Sequence, residues 1–398
     1  MNSVVRQMWE QNTDVVMVDT GNSYEGLCEY VGGKYISYTD EHPITMNPFA
    51  IKREELNIEK IGFLKNLIML IWKGTQGEVT KTEDRLVEQV ITEYFDEYFV
   101  KKRIDNLSFN TFYEYSTVRI PDIIKENNLA GIDLAAYNYL LKDFYKGGSH
   151  ELTLNENLDT KLFDETFIVF EIDSIKDDPL LFPLVTLIIM DVFIQKMRIK
   201  KNRKVLVIEE AWKAIASPMM AEYIKYLYKT ARKFWASVGV VTQEIQDIVG
   251  SPIVKEAIIN NSDVVMLLDQ AKFRERFDEI KAILGLTDVD CKKIFTINRL
   301  ENKEGRSFFR EVFIRRGSVG AVFGVEEPHE CYMTYTTERA EKEALKLYKK
   351  ELQCDHQHAI EAYCRDWELS GISKSLPFAQ KVNQTGHVLH LTHHNQSE

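Results

Sequence analysis

Val4, Val5, Met8 and Trp9 share one helical face at the start of the chain, which predicts a helix that gives out at Gln11-Asn12. A short apolar strand follows, Val15 to Val18, ending on Asp19, and then the turn-rich Thr20-Gly21-Asn22-Ser23. A second strand is expected over Lys34 to Tyr38, with Asn47-Pro48-Phe49 closing the segment. From about Asn57 the period changes. Ile61, Leu64, Leu67, Ile68 and Ile71 fall on one helical face, as do Leu86, Val90, Tyr94 and Tyr98, so the stretch to about Leu158 reads as all-helical.

Alternation of strand and helix then resumes. Strands are expected at Phe167 to Phe170, ending at Glu171; at Val205 to Ile208, ending at Glu209-Glu210; at Ser237 to Val241, ending at Thr242-Gln243; and at Val264 to Leu268. Helices at about Pro179 to Arg198 and Met219 to Lys233 lie between them. Short, continuously apolar strands separated by helices are the pattern of a parallel sheet covered on both faces. Such a sheet binds ligands along the C-terminal ends of its strands. Beyond it, Phe308 to Ile314 and Ala321 to Val325 read as edge strands or a hairpin, Thr337 to Leu352 and Ala359 to Trp367 as helices, and the tail from about Lys374 as loose. The expected fold class is α/β, divided into a first part of a core (1–56), an all-helical insertion (57–160), the remainder of the core (161–330), and C-terminal helices with a loose tail (331–398).

Composition narrows the function classes. At 398 residues the chain exceeds one ordinary core. Its net charge of -11 argues against a surface that binds nucleic acid all over, although it leaves room for a local basic channel. The most apolar run, Leu180 to Ile194, holds Pro183 and Asp191 and falls short of the roughly 18–20 residues a membrane span needs, so a buried helix is expected. The start of the chain lacks the shape of a signal peptide. Five scattered cysteines fit reduced thiols in the cytosol.

The sharpest chemical signal is Glu209-Glu210 at the exit of an apolar strand. Phosphoryl transfer uses acids in this place: one orients hydrated Mg²⁺ on the β- and γ-phosphates of ATP, and the next polarises the attacking water. Consecutive residues at a strand end point in different directions, so the pair can divide the work. Glu209 takes the metal role and Glu210 the catalytic one, although Glu209 stands where Asp is usual. About 30 residues on, Thr242-Gln243 ends the next strand in a polar amide.

The run Val205 to Trp212, then Ala231-Arg232-Lys233, then Val240-Val-Thr-Gln243, resembles the motor ATPases of type IV secretion, a RecA-like P-loop class. Asp19-Thr-Gly-Asn-Ser-Tyr24, Asn47-Pro-Phe49 and Phe323-Gly-Val-Glu-Glu-Pro328 bring it closest to the TraG-type ATPases of conjugative transposons. The resemblance spans nearly the whole chain, and its specificity lies in the order and spacing of the motifs. It implies a RecA-like core with a helical insertion, ATP and Mg²⁺ as cofactors, and assembly into a homo-oligomeric ring, commonly hexameric. It further implies ATP-driven work in apparatus assembly or in transfer of DNA or protein. The expected location is cytoplasmic, peripheral at the inner membrane and held there by other secretion components, with transient DNA contact. Gln243 would sense the γ-phosphate or the water, and Arg232 would reach a neighbouring subunit's γ-phosphate, with Arg274, Arg276, Arg310 and Arg315 as competitors. Asp19 and Glu171 would each contact nucleotide or hold an internal arginine. A DNA-pumping coupling protein and a non-enzymatic scaffold are the alternative functions.

One element of that class is missing. No G-x-x-x-x-G-K-[ST] run occurs; at Gly33-Lys34, Cys28 stands where the first glycine belongs and Tyr35 where the hydroxyl belongs. The expectation is a chain that begins just after its phosphate loop, or a loop-less paralogue, and that turns over little ATP by itself. Two further clusters carry weaker signals. Cys354, His356, His358 and Cys364 match no zinc spacing. Six basic residues between Lys196 and Lys204 offer either a DNA or lipid contact or a solvated helix end.

Overall fold

The computed structural model describes residues 1–39, 41–75, 77–102, 106–157, 160–210, 218–242, 258–299 and 309–389. In chain order the elements begin with α1 (Asn2–Glu10), β1 (Thr13–Asp19), α2 (Glu25–Tyr30), β2 (Lys34–Ser37), α3 (Ile58–Lys73), α4 (Lys81–Phe95), α5 (Phe109–Glu126), α6 (Leu134–Leu141) and α7 (Glu151–Asn155). There follow β3 (Phe167–Glu171), α8 (Leu181–Ile199), β4 (Arg203–Ile208), α9 (Pro218–Ala231), β5 (Ala236–Val240) and β6 (Val264–Leu267). The chain continues through α10 (Phe277–Leu284), α11 (Asp288–Ile294), β7 (Phe309–Arg316), β8 (Val319–Glu326), α12 (His329–Tyr335), α13 (Arg339–Leu352), α14 (His356–Leu369) and α15 (Ser375–Thr385). They form two units, one of Gln11–Gly21 with Lys34–Ala257, the other of Met1–Glu10, Asn22–Gly33 and Ile258–Glu398.

The first of these units is built on a five-stranded, wholly parallel sheet in the order β2-β3-β1-β4-β5. β1 is central and buried at all seven positions, which is why its apolar run has no polar alternation. α8 packs on β1 and β4, and every side chain from Leu181 to Ile194 is buried. The apolar run is thus a core helix, and among the described residues no helix is long and apolar enough to cross a membrane. Helices α3 to α7 fill the stretch between β2 and β3, started by side-chain caps: Asn57 accepts from the Lys60 amide, and Thr80 and Glu83 form a reciprocal capping box. Phe49 explains its motif. Its ring lies 4.8 to 6.3 Å from those of Tyr94, Phe95, Phe109 and Phe112, while Asn47 Nδ2 donates to the Leu107 carbonyl at 2.7 Å. The segment after β2 is thereby pinned to the helical layer.

The basic run is mixed: Arg198, Lys201 and Arg203 are exposed, as a solvated helix end requires, whereas Lys196 and Lys204 are buried. Lys196 is wholly buried; its ammonium lies 3.0 Å from Asp14 Oδ2 and donates to the Phe163 carbonyl at 2.9 Å. Lys204, also buried, donates to the carbonyls of Asn202 and Phe234, and Asn202 donates to Asp14 Oδ1 at 2.6 Å. Arg198 pairs with Glu59 and Lys200 with Asp164. Lys196 and Lys204 close the N-terminal edge of the sheet, because the strand ends there leave carbonyls and Asp14 in need of donors.

In the other unit, β6, β7 and β8 form an antiparallel sheet. The expectation that Val264 to Leu268 joins the parallel sheet is therefore corrected: β6 runs against β7, with Val264 opposite Arg316. A four-residue apolar run does not encode its partner. The hairpin of β7 and β8 needs its glycines, since a Cβ on Gly324 would lie 2.4 Å from the Phe309 ring. Helices α12 to α15 bury Tyr348, Tyr363, Trp367 and Phe378 around one core, with Trp367 Nε1 donating to the Ile372 carbonyl at 2.7 Å. The stretch beyond Lys374 is not loose through α15, because Phe378, Ala379 and Val382 are spaced to face that core. α2 joins the unit through ion pairs, Lys342 with Glu25 at 3.0 Å and Lys349 with Glu29.

His356, at the start of α14, is nearly buried, with Nδ1 3.3 Å from Glu29 Oε2 and Nε2 without a hydrogen-bond partner among the described residues. Burial pushes its pKa below the ordinary 6.5, against the opposing pull of Glu29. As pH falls from about 6.5 towards that lowered value, the unfolded chain takes up the proton first, so stability falls. Unfolding followed between pH 7.5 and 5 is expected to show this loss, and His356→Phe to flatten it; an unchanged slope in the variant refutes the assignment.

Candidate active site

The C-terminal rim of the parallel sheet collects the acids picked out from the sequence. Asp19 of β1 stands in register with Glu171 of β3, and Ile208 of β4 with Val18 of β1 and Val240 of β5. Backbone pairing runs one residue past the strands: the Glu209 amide donates to the Val18 carbonyl at 3.0 Å, and the Val241 amide to the Ile208 carbonyl at 2.9 Å. Glu209 therefore leaves the sheet beside Asp19, with Glu210 next, and Thr242 follows on the neighbouring strand.

Glu209 and Glu210 are half-buried, whereas Asp19 is 1% exposed. Glu210 has φ +49°, the left-handed region that non-glycine residues seldom occupy. Such a backbone stores of order 1 kcal/mol or more and is concentrated at functional sites. It stands at the strand exit, immediately after Glu209 and two residues past the end of β4. Glu171 is otherwise engaged: Oε1 accepts from the Asp173 amide at 2.7 Å and Oε2 from the Tyr35 hydroxyl at 3.3 Å. Its carboxylate shapes the turn after β3. Gln243 and Trp212 lie outside the described residues.

Arg232 does not join this rim. It is exposed on a short 3₁₀ turn, Arg232–Phe234, at the N-terminal end of β5, where the Lys204 amide donates to the Trp235 carbonyl at 3.0 Å. Five strand residues at about 3.3 Å each put roughly 17 Å between the two ends of β5. Among its competitors, Arg315 donates to the Leu284 and Gly285 carbonyls at the end of α10, and Arg274 stacks on Phe295 at 4.7 Å. Arg310 donates to the Phe309 carbonyl. The sequence reading missed the left-handed turn at Glu210, which no local residue preference announces, and the fixed place of Glu171.

Paired carboxylates at a strand exit suit a hydrated divalent cation and a polarised water. They repel a polyphosphate unless backbone amides and a lysine offset its charge. The near miss at Gly33-Lys34 has the wrong architecture for that purpose: helix α2 precedes it and strand β2 follows, whereas a phosphate loop joins a strand to the start of a helix.

The family described as "TraG P-loop domain" matches residues 1–367. Protein TraC of Escherichia coli (strain K12) is 22% identical over 297 residues, covering 70% of this chain; the chain spans 31% of that relative's length. Among solved structures, VirB4 of Thermoanaerobacter pseudethanolicus superposes with a TM-score of 0.60 at 18% identity, over 82% of this chain and 85% of that one. The bacterial conjugative coupling protein TrwB, solved with sulphate, gives 0.52 at 12% identity, over 82% and 80% of the two chains. TrwB structures with the ATP analogue ADPNP and with ADP and Mg²⁺ also match, at 0.50 and 0.51. These likenesses identify the α/β architecture as RecA-like, and the match along nearly its whole length shows that the chain belongs to the TraG P-loop domain family.

Proposed function

We propose that the chain is the hydrolytic core of a motor ATPase that powers apparatus assembly or substrate transfer in conjugation, and that Glu210 is its general base. The observation that carries this reading is the acid pair at the exit of β4, beside the central strand, in a chain of this family. Glu209 would hold Mg²⁺ through its water shell, and buried Asp19 would support that shell from the next strand. MgATP would supply the γ-phosphoryl group: water attacks its phosphorus, the bond to the β-phosphate oxygen breaks, and ADP leaves. Glu210 would accept the proton of that water on its carboxylate. Gln243, three positions after β5 in the sequence, would orient the water or sense the γ-phosphate.

Arg232, at the far end of β5, has a catalytic role only towards a neighbouring copy, so the reading includes a homo-oligomeric ring. Residues 57–160 act as a helical insertion in that core, and association with the inner membrane runs through other secretion components. For the DNA-pump alternative, the basic run between Lys196 and Lys204 offers less than its six cations: Lys196 and Lys204 are buried and Arg198 and Lys200 are paired with acids, which leaves exposed Lys201 and Arg203.

The test is ATP hydrolysis by this chain, beside an extended version that carries a strand and a G-x-x-x-x-G-K-[ST] loop ahead of α1. Turnover is expected only in the extended chain, because the loop supplies most contacts to the phosphates. Equal turnover by the two refutes the need for the loop, and none from a folded, oligomeric extended chain moves the assignment to a scaffold.

A further inference from the structure

A second site lies on the helical side of the parallel-sheet unit, where α3, α8 and α9 meet. A cleft of about 500 Å³ opens there. It is remote from the acid rim, since its α8 residues, Asp191 to Ile199, belong to the half of that helix that leads to the N-terminal end of β4. Its wall is aromatic: the rings of Phe63 and Tyr223 are 5.8 Å apart, and those of Tyr223 and Tyr226 6.1 Å.

Its charges are unbalanced. Four carboxylates line the cleft, Glu54, Glu55, Glu59 and Asp191, against two cations, Lys60 and Arg198, an excess of two negative charges. Both cations are engaged, Lys60 with Asp191 at 2.8 Å and Arg198 with Glu59. The Asp191 side chain is only 5% exposed, and its bonds fall on one oxygen: Oδ2 accepts from Lys60 at 2.8 Å and from Gln195 at 2.7 Å. Oδ1 accepts no hydrogen bond from the described residues, and neither does the hydroxyl of buried Tyr223 make one. Neither atom is among the buried ones left without a partner, so both are open to the cleft, where a ligand's donor can reach them. At the mouth, Ile58 (88% exposed) and Ile199 (60%) offer apolar surface.

We infer that this cleft binds a planar organic cation, a guanidinium or amidinium head on an apolar stem. The head stacks on the tyrosine rings and donates to Asp191 Oδ1 and the Tyr223 hydroxyl, and the stem lies against Ile58 and Ile199. Face-on stacking of a cation with a charge-assisted hydrogen bond at its edge is the combination such a wall and acid provide. An anion would meet the excess negative charge, and a neutral ring would leave Asp191 Oδ1 unsatisfied. Either an arginine side chain of a partner polypeptide or a free small cation carries this chemistry.

The test is calorimetric titration of the chain with benzamidine, its neutral isostere benzamide, and the peptide acetyl-Leu-Arg-Leu-amide. Benzamidine is expected to bind saturably and benzamide about tenfold more weakly, given the strength of hydrogen bonds to charged groups. Asp191→Asn is expected to abolish the difference. Because that change strands Lys60, Tyr223→Phe is the second variant; it keeps the ring and is expected to weaken benzamidine about tenfold with unchanged circular dichroism. A peptide at least tenfold tighter than benzamidine identifies a polypeptide source, and an equal or weaker one a free cation. Benzamide binding as well as benzamidine, benzamidine indifferent to Tyr223→Phe, or neither cationic probe binding overturns the assignment.

Discussion

Glu210→Gln in the upstream-extended chain is expected to lower the rate of ATP hydrolysis by about 100-fold or more, the usual contribution of a positioned general base. The amide keeps the size and reach of the side chain and the left-handed backbone, but it cannot take a proton from water. Nucleotide affinity is expected to stay within about threefold, since a group that acts in the transition state adds little to ground-state binding. Steady-state hydrolysis and nucleotide titration on the same preparation separate these effects. Hydrolysis that survives the change places the chemistry on another strand; a parallel loss of affinity makes Glu210 a binding residue.

The other large effect concerns folding. Lys196→Met leaves buried Asp14 with the Asn202 amide as its remaining side-chain donor and strips a donor from the Phe163 carbonyl. Breaking one side of a buried pair in this way costs about 3–5 kcal/mol. Replacing both partners, Lys196→Met with Asp14→Leu, is expected to recover much of the loss. The intact pair also has a pH signature. Burial holds the Lys196 pKa below its ordinary 10.5. Between that lowered value and about 10.5 the unfolded chain binds more protons, so this group makes stability rise with pH in that window. Denaturant unfolding of the three chains checks both points, and a single-variant loss under about 1 kcal/mol shows that the pair is not a linchpin.

Much of the core was legible because buried parallel strands leave an unmistakable mark. Val15 to Val18, Phe167 to Phe170 and Val205 to Ile208 are runs without polar interruption, and each lies in the sheet. The acids at their ends were legible for the same reason, since a polar residue closing such a run marks a strand exit. Partnership was less so. Val264 to Leu267 has the composition of the other strands but pairs antiparallel with β7, and only contacts distant in sequence decide that. The union of α2 with the C-terminal helices rests on ion pairs such as Lys342 with Glu25, 317 positions apart, which local periodicity cannot report. The run Lys196 to Lys204 divides: Arg198, Lys201 and Arg203 meet solvent as their charge suggests, while open strand ends draw Lys196 and Lys204 inward. At the candidate site, residue types were readable and backbone shape was not: nothing around Glu210 foretells its φ of +49°.

That backbone angle narrows what natural variation can do at position 210. Glycine and asparagine relieve a left-handed conformation but carry no carboxylate. Valine, isoleucine and threonine are barred by their branched Cβ as well as by their chemistry. Aspartate alone combines an acid with tolerance of that turn, and it is one methylene shorter, so drift to it moves the proton acceptor back from the rim. Two demands that favour different amino acids thus meet at one codon, and a lineage that abandons hydrolysis is free to settle the conflict in favour of the backbone.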